Sequence, residues 1–232
     1  MYEQLKAECF RANMQLSELG LVIYTFGNVS CADRNLGVFA IKPSGVDYDK
    51  LRPEDMVVIS IADGNVVDGT MRPSSDTNTH LELYRAFPGI GGIVHTHSTY
   101  AVAWAQAHRD VPLYGTTHAD HLACAIPCTE FMADERIAND YETETGFQII
   151  DRFKDAGLNP DEVNMVLVAG HGPFAWGSNA AKAVYNAKIL EELCRMAMLT
   201  EAINPNVAPL KDSLVNKHYL RKHGKDAYYG QK

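Results

Sequence analysis

No stretch of this chain approaches the roughly 18 to 20 consecutive apolar residues that cross a bilayer. The first residues, MYEQLKAECFRANMQLSELG, carry charges throughout, where a secretion signal would need an apolar segment. A cytoplasmic location is the expectation. Excess positive charge is missing too: 21 Lys and Arg against 29 Asp and Glu leave a net charge of −8 and a pI near 5.5. That balance argues against nucleic acid or an anionic membrane as the main partner, because either would need a basic surface. A small anion can still bind locally. The five cysteines, Cys9, Cys31, Cys124, Cys128 and Cys194, are odd in number and form no C-x-x-C pair. They read as reduced thiols, with Cys124 and Cys128 assigned to packing. No Walker-type G-x-x-x-x-G-K-[ST] loop points to a nucleotide. Neither a repeat nor a Gly/Ser-rich or Pro-rich linker divides the chain, so a single α/β domain over residues 1–232 is the simplest organisation.

What is present is a change of hydrophobic period along the chain. Leu5, Cys9, Ala12 and Leu16 recur at helical spacing over residues 3–19, with Gly20 as the stop. The segments VSCAD and GVFAIK then flank the turn RNLG, and MVVISI is followed by ADGNVV, whose Asp63-Gly64 is a hairpin signal. Adjacent hairpins imply antiparallel pairing. Helices are expected at 77–87, 98–108 and 134–157. A strand MVLVA precedes GHGPFAWG, and a long helix capped by Ser178 or Asn179 runs to about Ile203. Its stripe of Val184, Ile189, Leu193, Met196 and Ala197 reads as core, as do Trp104 and Trp176. The fold class is therefore α/β, a predominantly antiparallel central sheet packed between helices.

Chemistry concentrates in GGIVHTHS. A strand alternates its faces, so His95 and His97 in H-x-H spacing at a strand end point to one side. Alone, such a pair also fits one core imidazole and one surface imidazole. His171 lies just past a second strand end, between two glycines that allow a tight turn. Three neutral imidazoles with an open fourth position describe a catalytic zinc site. Asp76 in PSSDTNTH either caps a helix or stands beside that metal, and His80 one turn later is a further ligand or simply helix surface. The loops IKPSG and RPSSD offer hydroxyls, backbone N–H groups and a preceding cation, Lys42 or Arg72, and with FGNVS they can cradle a phosphate or be ordinary turns.

Taken together, GNVS, IKPSGV, PSSDT, GGIVHTHS, GTTHAD, IPCT, GHGPFAWG, NKHYLRKHG and AYYGQ resemble the class II aldolase/adducin superfamily nearly end to end. The last two segments are similar to its 4-epimerase branch and not to the fuculose-phosphate or rhamnulose-phosphate aldolases. The resemblance implies one Zn2+ per subunit on His95, His97 and His171, with Asp76 beside it. It implies a sugar-phosphate pocket of Asn28, Lys42, Ser44, Gly45, Ser74, Ser75 and Thr116. Asp120 and Tyr229 would transfer protons with His218 in support, Tyr229 and His218 reaching over from a neighbouring subunit of a homotetramer with shared active sites. The implied reaction interconverts L-ribulose 5-phosphate and D-xylulose 5-phosphate. The C4 hydrogen of such a ketose is not acidic, so inversion there calls for cleavage and re-formation of C3–C4 with a Lewis acid and two proton-transfer groups. The sequence around THAD, ADHLACAIPCT, departs from the usual aromatic-rich version. The alternatives are an aldolase that releases both fragments from the same site, and a non-catalytic adducin-like domain, which the three histidines oppose. Outside the resemblance, Asp120 could hold His118, Tyr228 and Tyr229 could anchor a tail, and His218 and His223 could lie on a solvated helix face.

Overall fold

The computed structural model describes residues 1–228; Tyr229, given a proton-transfer role by resemblance, lies outside the described residues. Helix α1 (Glu3–Glu18) opens the chain, and β1 (Asn28–Asp33) and β2 (Val38–Ile41) form the first hairpin. A second hairpin joins β3 (Val57–Ser60) to β4 (Val66–Asp68), with Gly64 at φ +77° in the turn. Then come α2 (Thr77–Ala86), β5 (Gly92–His95), α3 (Thr99–Gln106), the single turn α4 (Thr116–Ala119) and the single turn α5 (Asp134–Ile137). The chain continues through α6 (Tyr141–Asp155), β6 (Met165–Val168), β7 (Gly172–Gly177), α7 (Ala180–Ile203) and α8 (Asp212–His223).

The strands make one sheet in the order β4-β3-β2-β1-β5-β7-β6, every neighbouring pair antiparallel. The expectation of an antiparallel sheet packed between helices is met. One expectation is corrected. The helix expected over 134–157 is broken, because Asp140 caps a new start and accepts from Thr143 N. Most of GHGPFAWG, a segment given no element by its pattern, is β7, which pairs with both β5 and β6. Its glycines and proline hide a strand whose six residues are all buried.

Register explains which residues share a face. Asn28 pairs with His95, which pairs with Phe174, and Ser30 pairs with Ile93, which pairs with Trp176. Side chains of paired residues point to one side of a sheet, so Asn28, Ser30, His95 and Phe174 all face α2. There His80 and Tyr84 of α2 meet the Ser30 hydroxyl at 2.7 and 2.8 Å, and Phe87 and Phe153 pack on Trp176. The other face takes α1, α3 and α7. Buried Asn13 of α1 bonds both backbone groups of Val29, at 2.9 and 3.0 Å, and so fixes β1 beside Asn28.

Small residues let α7 lie against the sheet. A Cβ on Gly92 would come within 2.5 Å of the Ala180 Cα, a distance that only backbone movement relieves. Gly92→Ala is expected to lower stability by about 1–3 kcal/mol, read as a lower urea midpoint. An unchanged midpoint would show that α7 shifts freely.

Candidate metal and phosphate pocket

Three imidazoles converge at one end of the sheet. His95 is the last residue of β5, His97 follows two residues on, and His171 sits in the turn from β6 to β7, where Gly170 adopts φ +69°. Pairing of β5 with β7 brings them together across the chain. Their ring centroids lie 4.7 to 5.3 Å apart, and one nitrogen from each falls within 4.8 Å of the others. The His95 ring stacks on Phe174, and its Nδ1 meets the Pro173 carbonyl at 2.9 Å, which leaves Nε2 to face the cluster.

Desolvation lowers the proton affinity of two of these rings. Burial and then His95 bring His171 down to about 3, and burial followed by His95 also lowers His97. Both rings are therefore neutral near pH 7, the state a metal requires. Asp76 stands at the start of α2, yet its side chain makes no capping bond. It accepts instead from the Asn28 amide at 2.6 Å and from the Ser74 hydroxyl at 3.5 Å. Burial pushes its carboxyl up, but His95, His80 and the Asn28 amide outweigh that and hold it below the usual carboxylate range. His80 is neither a member of the cluster nor helix surface. It is fully buried, bonded to Ser30, and pushed by burial to about 3.

The two serine loops meet as antiparallel neighbours through Pro43 and Pro73. Ser44 N donates to Arg72 O and Ser74 N to Lys42 O, both at 3.0 Å. Joined in this way, the loops place Ser44, Gly45 and Ser75 on the wall of a cavity of about 370 Å³, together with Asn28, Lys42, Ser74, Asp76 and the three histidines. Lys42 is only 2% exposed. Among the described residues its ammonium has no carboxylate within ion-pair distance; it makes a 3.4 Å bond to Pro43 O and lies over the Tyr48 ring. Burial brings it down to about 8, partly offset by Asp47. Asn28 Oδ1 is buried with no hydrogen-bond partner among the described residues. A buried cation without an anion and an unfilled acceptor are both costly unless a ligand meets them.

Thr116, Asp120 and His218 do not line this cavity. The structure brings Asp120 and His218 together elsewhere, between α4 and α8. There Asp120 bonds His218 Nδ1 at 3.0 Å and Arg221 at 2.8 Å, with Lys222 at 3.5 Å. Partial burial pushes this carboxyl up, but Arg221, His218 and Lys222 bring it to about 2. Asp120 does not hold His118.

Tyr141 and Glu142, at the start of α6, line the cavity and were not expected. The pair Asn139-Asp140 before Tyr141 is an N-cap signal that an unbroken helix from 134 conceals.

Comparisons with known proteins show the family and the fold. Residues 7–198 match the model of the Class II Aldolase and Adducin N-terminal domain. The L-ribulose-5-phosphate 4-epimerases UlaF of Salmonella paratyphi A and Salmonella typhi are each 50% identical over 230 residues, covering 99% of this chain and 100% of theirs. Among solved structures, an L-fuculose 1-phosphate aldolase superposes with a TM-score of 0.76 at 25% identity, covering 93% of this chain and 94% of its own. YgbL of Klebsiella pneumoniae, at 24% identity, reaches a TM-score of 0.71 over 94% of this chain and 99% of its own, which speaks for the fold. An antiparallel sheet with three histidines gathered at its end, matched along most of its length, belongs to the class II aldolase and adducin family.

Proposed function

We propose that the chain is a zinc-dependent L-ribulose-5-phosphate 4-epimerase, a cytoplasmic single-domain enzyme with one Zn2+ per subunit. No helix among the described residues is long and apolar enough to cross a membrane. The observation that carries the proposal is the shared cavity: three imidazoles on one wall, and on the other a buried lysine without a carboxylate partner among the described residues. A ketose phosphate complements both. The donor set, three imidazoles without thiolate, fits zinc. When bound, such an ion supplies a Lewis acid that stabilises negative charge on the ketose oxygens during cleavage of C3–C4.

The chain's own residues do the rest. Lys42, the Ser44 and Ser75 hydroxyls and the amino end of α2 hold the phosphate, so the aldehyde fragment turns over without escaping. Asn28 Oδ1 accepts from a substrate hydroxyl, while its amide keeps Asp76 aimed at the histidines. Asp120, ionised at neutral pH, is in the state that accepts the C4 hydroxyl proton, with Tyr229 as its counterpart on the opposite face. Because His218 is bonded to Asp120 of its own chain, a neighbour that supplies one supplies both. The reading that follows is a homotetramer in which the Asp120, His218 and Thr116 cluster of one subunit closes the cavity of the next.

The test is incubation of zinc-loaded protein with L-ribulose 5-phosphate, products identified by NMR beside a chelated control. Chelator-sensitive D-xylulose 5-phosphate is expected. Release of both cleavage fragments would instead favour an aldolase, the reading that the fuculose-phosphate aldolase superposition keeps in view.

Lys42 provides a separate check. Since its ammonium titrates near pH 8 in the free protein, KM should rise above pH 8 with kcat little changed. Lys42→Met should raise KM roughly 10- to 100-fold, the equivalent of one charged hydrogen bond, and remove that pH dependence. A variant with unchanged KM would take Lys42 out of the phosphate site.

A further inference from the structure

The free nitrogens of the clustered imidazoles are held in different ways. A ring that offers one nitrogen to a metal needs its other N–H directed at an acceptor, which selects the tautomer and fixes the ring plane. For His95 that acceptor is the Pro173 carbonyl, part of β7 itself. The His171 ring has no such backbone partner among the described residues. Its Nδ1 lies 3.3 Å from Tyr141 Oη, a side chain from the opposite layer, with the two rings 6.0 Å apart. The turn that carries His171 is flanked on its other side by Phe131, whose ring a Cβ on Gly170 would touch at 3.1 Å.

Tyr141 is held by more than its own helix. It is the first residue of α6, and the bonds around it tie that turn to the first turn of α2. Asn78 donates to Asp140 at 3.2 Å, and the Thr79 hydroxyl donates to Glu142 O at 2.6 Å. The two helices come close enough that a Cβ on Gly146 would meet Glu82 Cβ at 2.9 Å. One rigid piece, the paired amino ends of α2 and α6, thus carries both Asp76 and Tyr141, and the sheet carries the histidines.

We infer that Tyr141 is a positioning residue for His171: its phenol oxygen accepts from Nδ1–H and turns Nε2 toward the metal. The inference rests on the reading of His95, His97 and His171 as a metal site. Tyr141 also forms part of the cavity wall.

Metal-stripped wild type and Tyr141→Phe would be titrated with Zn2+ against a chromophoric chelator, and with Co2+ while its visible bands are recorded. Removing one oxygen from a residue at the cavity rim keeps the ring and its packing, and far-UV circular dichroism checks the fold. The expected result is a metal affinity about 10- to 100-fold weaker in Tyr141→Phe, with altered Co2+ bands and an unchanged fold. Equal affinity and identical bands in the two proteins would overturn the role of Tyr141 and leave the metal site standing. A variant that no longer folds would make Tyr141 structural and overturn it equally. Wild type that takes up neither ion would remove the metal site itself, a failure distinct from the first two.

Discussion

His97→Asn should yield a folded protein whose kcat falls by about three orders of magnitude and which no longer retains zinc through gel filtration. His97 lies beyond the end of β5, half-buried, with its ring toward His95 and His171. The β5 ladder to β1 and β7 ends at His95, so no strand pairing depends on residue 97. An amide is a poor ligand for a borderline-soft cation, and two imidazoles remain where three met. Lewis-acid stabilisation amounts to several kcal/mol, and each 1.36 kcal/mol is tenfold in rate, which sets the expected loss. Circular dichroism, metal content and turnover together decide it. Full turnover with normal zinc content would sink the metal assignment.

The second large effect is on stability. His80 is fully buried and pushed by burial to about 3; His118 is 4% exposed and burial brings it to about 4. In the unfolded chain both titrate near 6.5. Between that value and the folded values, the unfolded state binds protons that the native state refuses, so stability falls as pH falls. Above 6.5 both states are neutral and the two residues contribute no slope. At pH 5 each costs roughly 2 kcal/mol relative to pH 7.5. These two residues alone contribute about 4 kcal/mol to the difference in urea unfolding of metal-free protein between the two pH values, and His171 and His121, brought by burial to about 3 and about 4, add to it in the same direction, in a window where most carboxylates do not titrate. Equal stabilities would mean that these imidazoles are protonated in the folded protein. His80→Gln should flatten part of the slope.

Much of this arrangement can be read from the sequence, for identifiable reasons. The hairpins announce themselves through Asp63-Gly64 and the RNLG turn, because those residue types suit the backbone angles that hairpins demand. His95, His97 and His171 are legible because each follows an apolar run that ends where the chain must turn. Strand β7 is less visible. Its glycines and proline have low strand propensity, and it exists because β5 and β6 flank it on both sides. Local spacing likewise says nothing of Tyr141, which reaches the cavity through the packing of α6 on α2, or of Asp120, whose partners lie about a hundred residues away on α8. Those positions come from tertiary contacts between elements distant in the chain. A local pattern carries no record of them.

The placement of His171 in the β6–β7 turn bears on how the protein folds. In an unfolded chain His95 and His97 are already neighbours and can grasp an ion weakly, but the third imidazole is far along the sequence. It arrives only when β7 docks on β5, a pairing that spans about 80 residues and is costly in chain entropy. The ion's affinity for the native state over the unfolded one is thus stored in that single long-range pairing. On the reading of these imidazoles as a metal site, an ion added during refolding should act as a clasp on this long-range closure, and its loss should weaken the same seam.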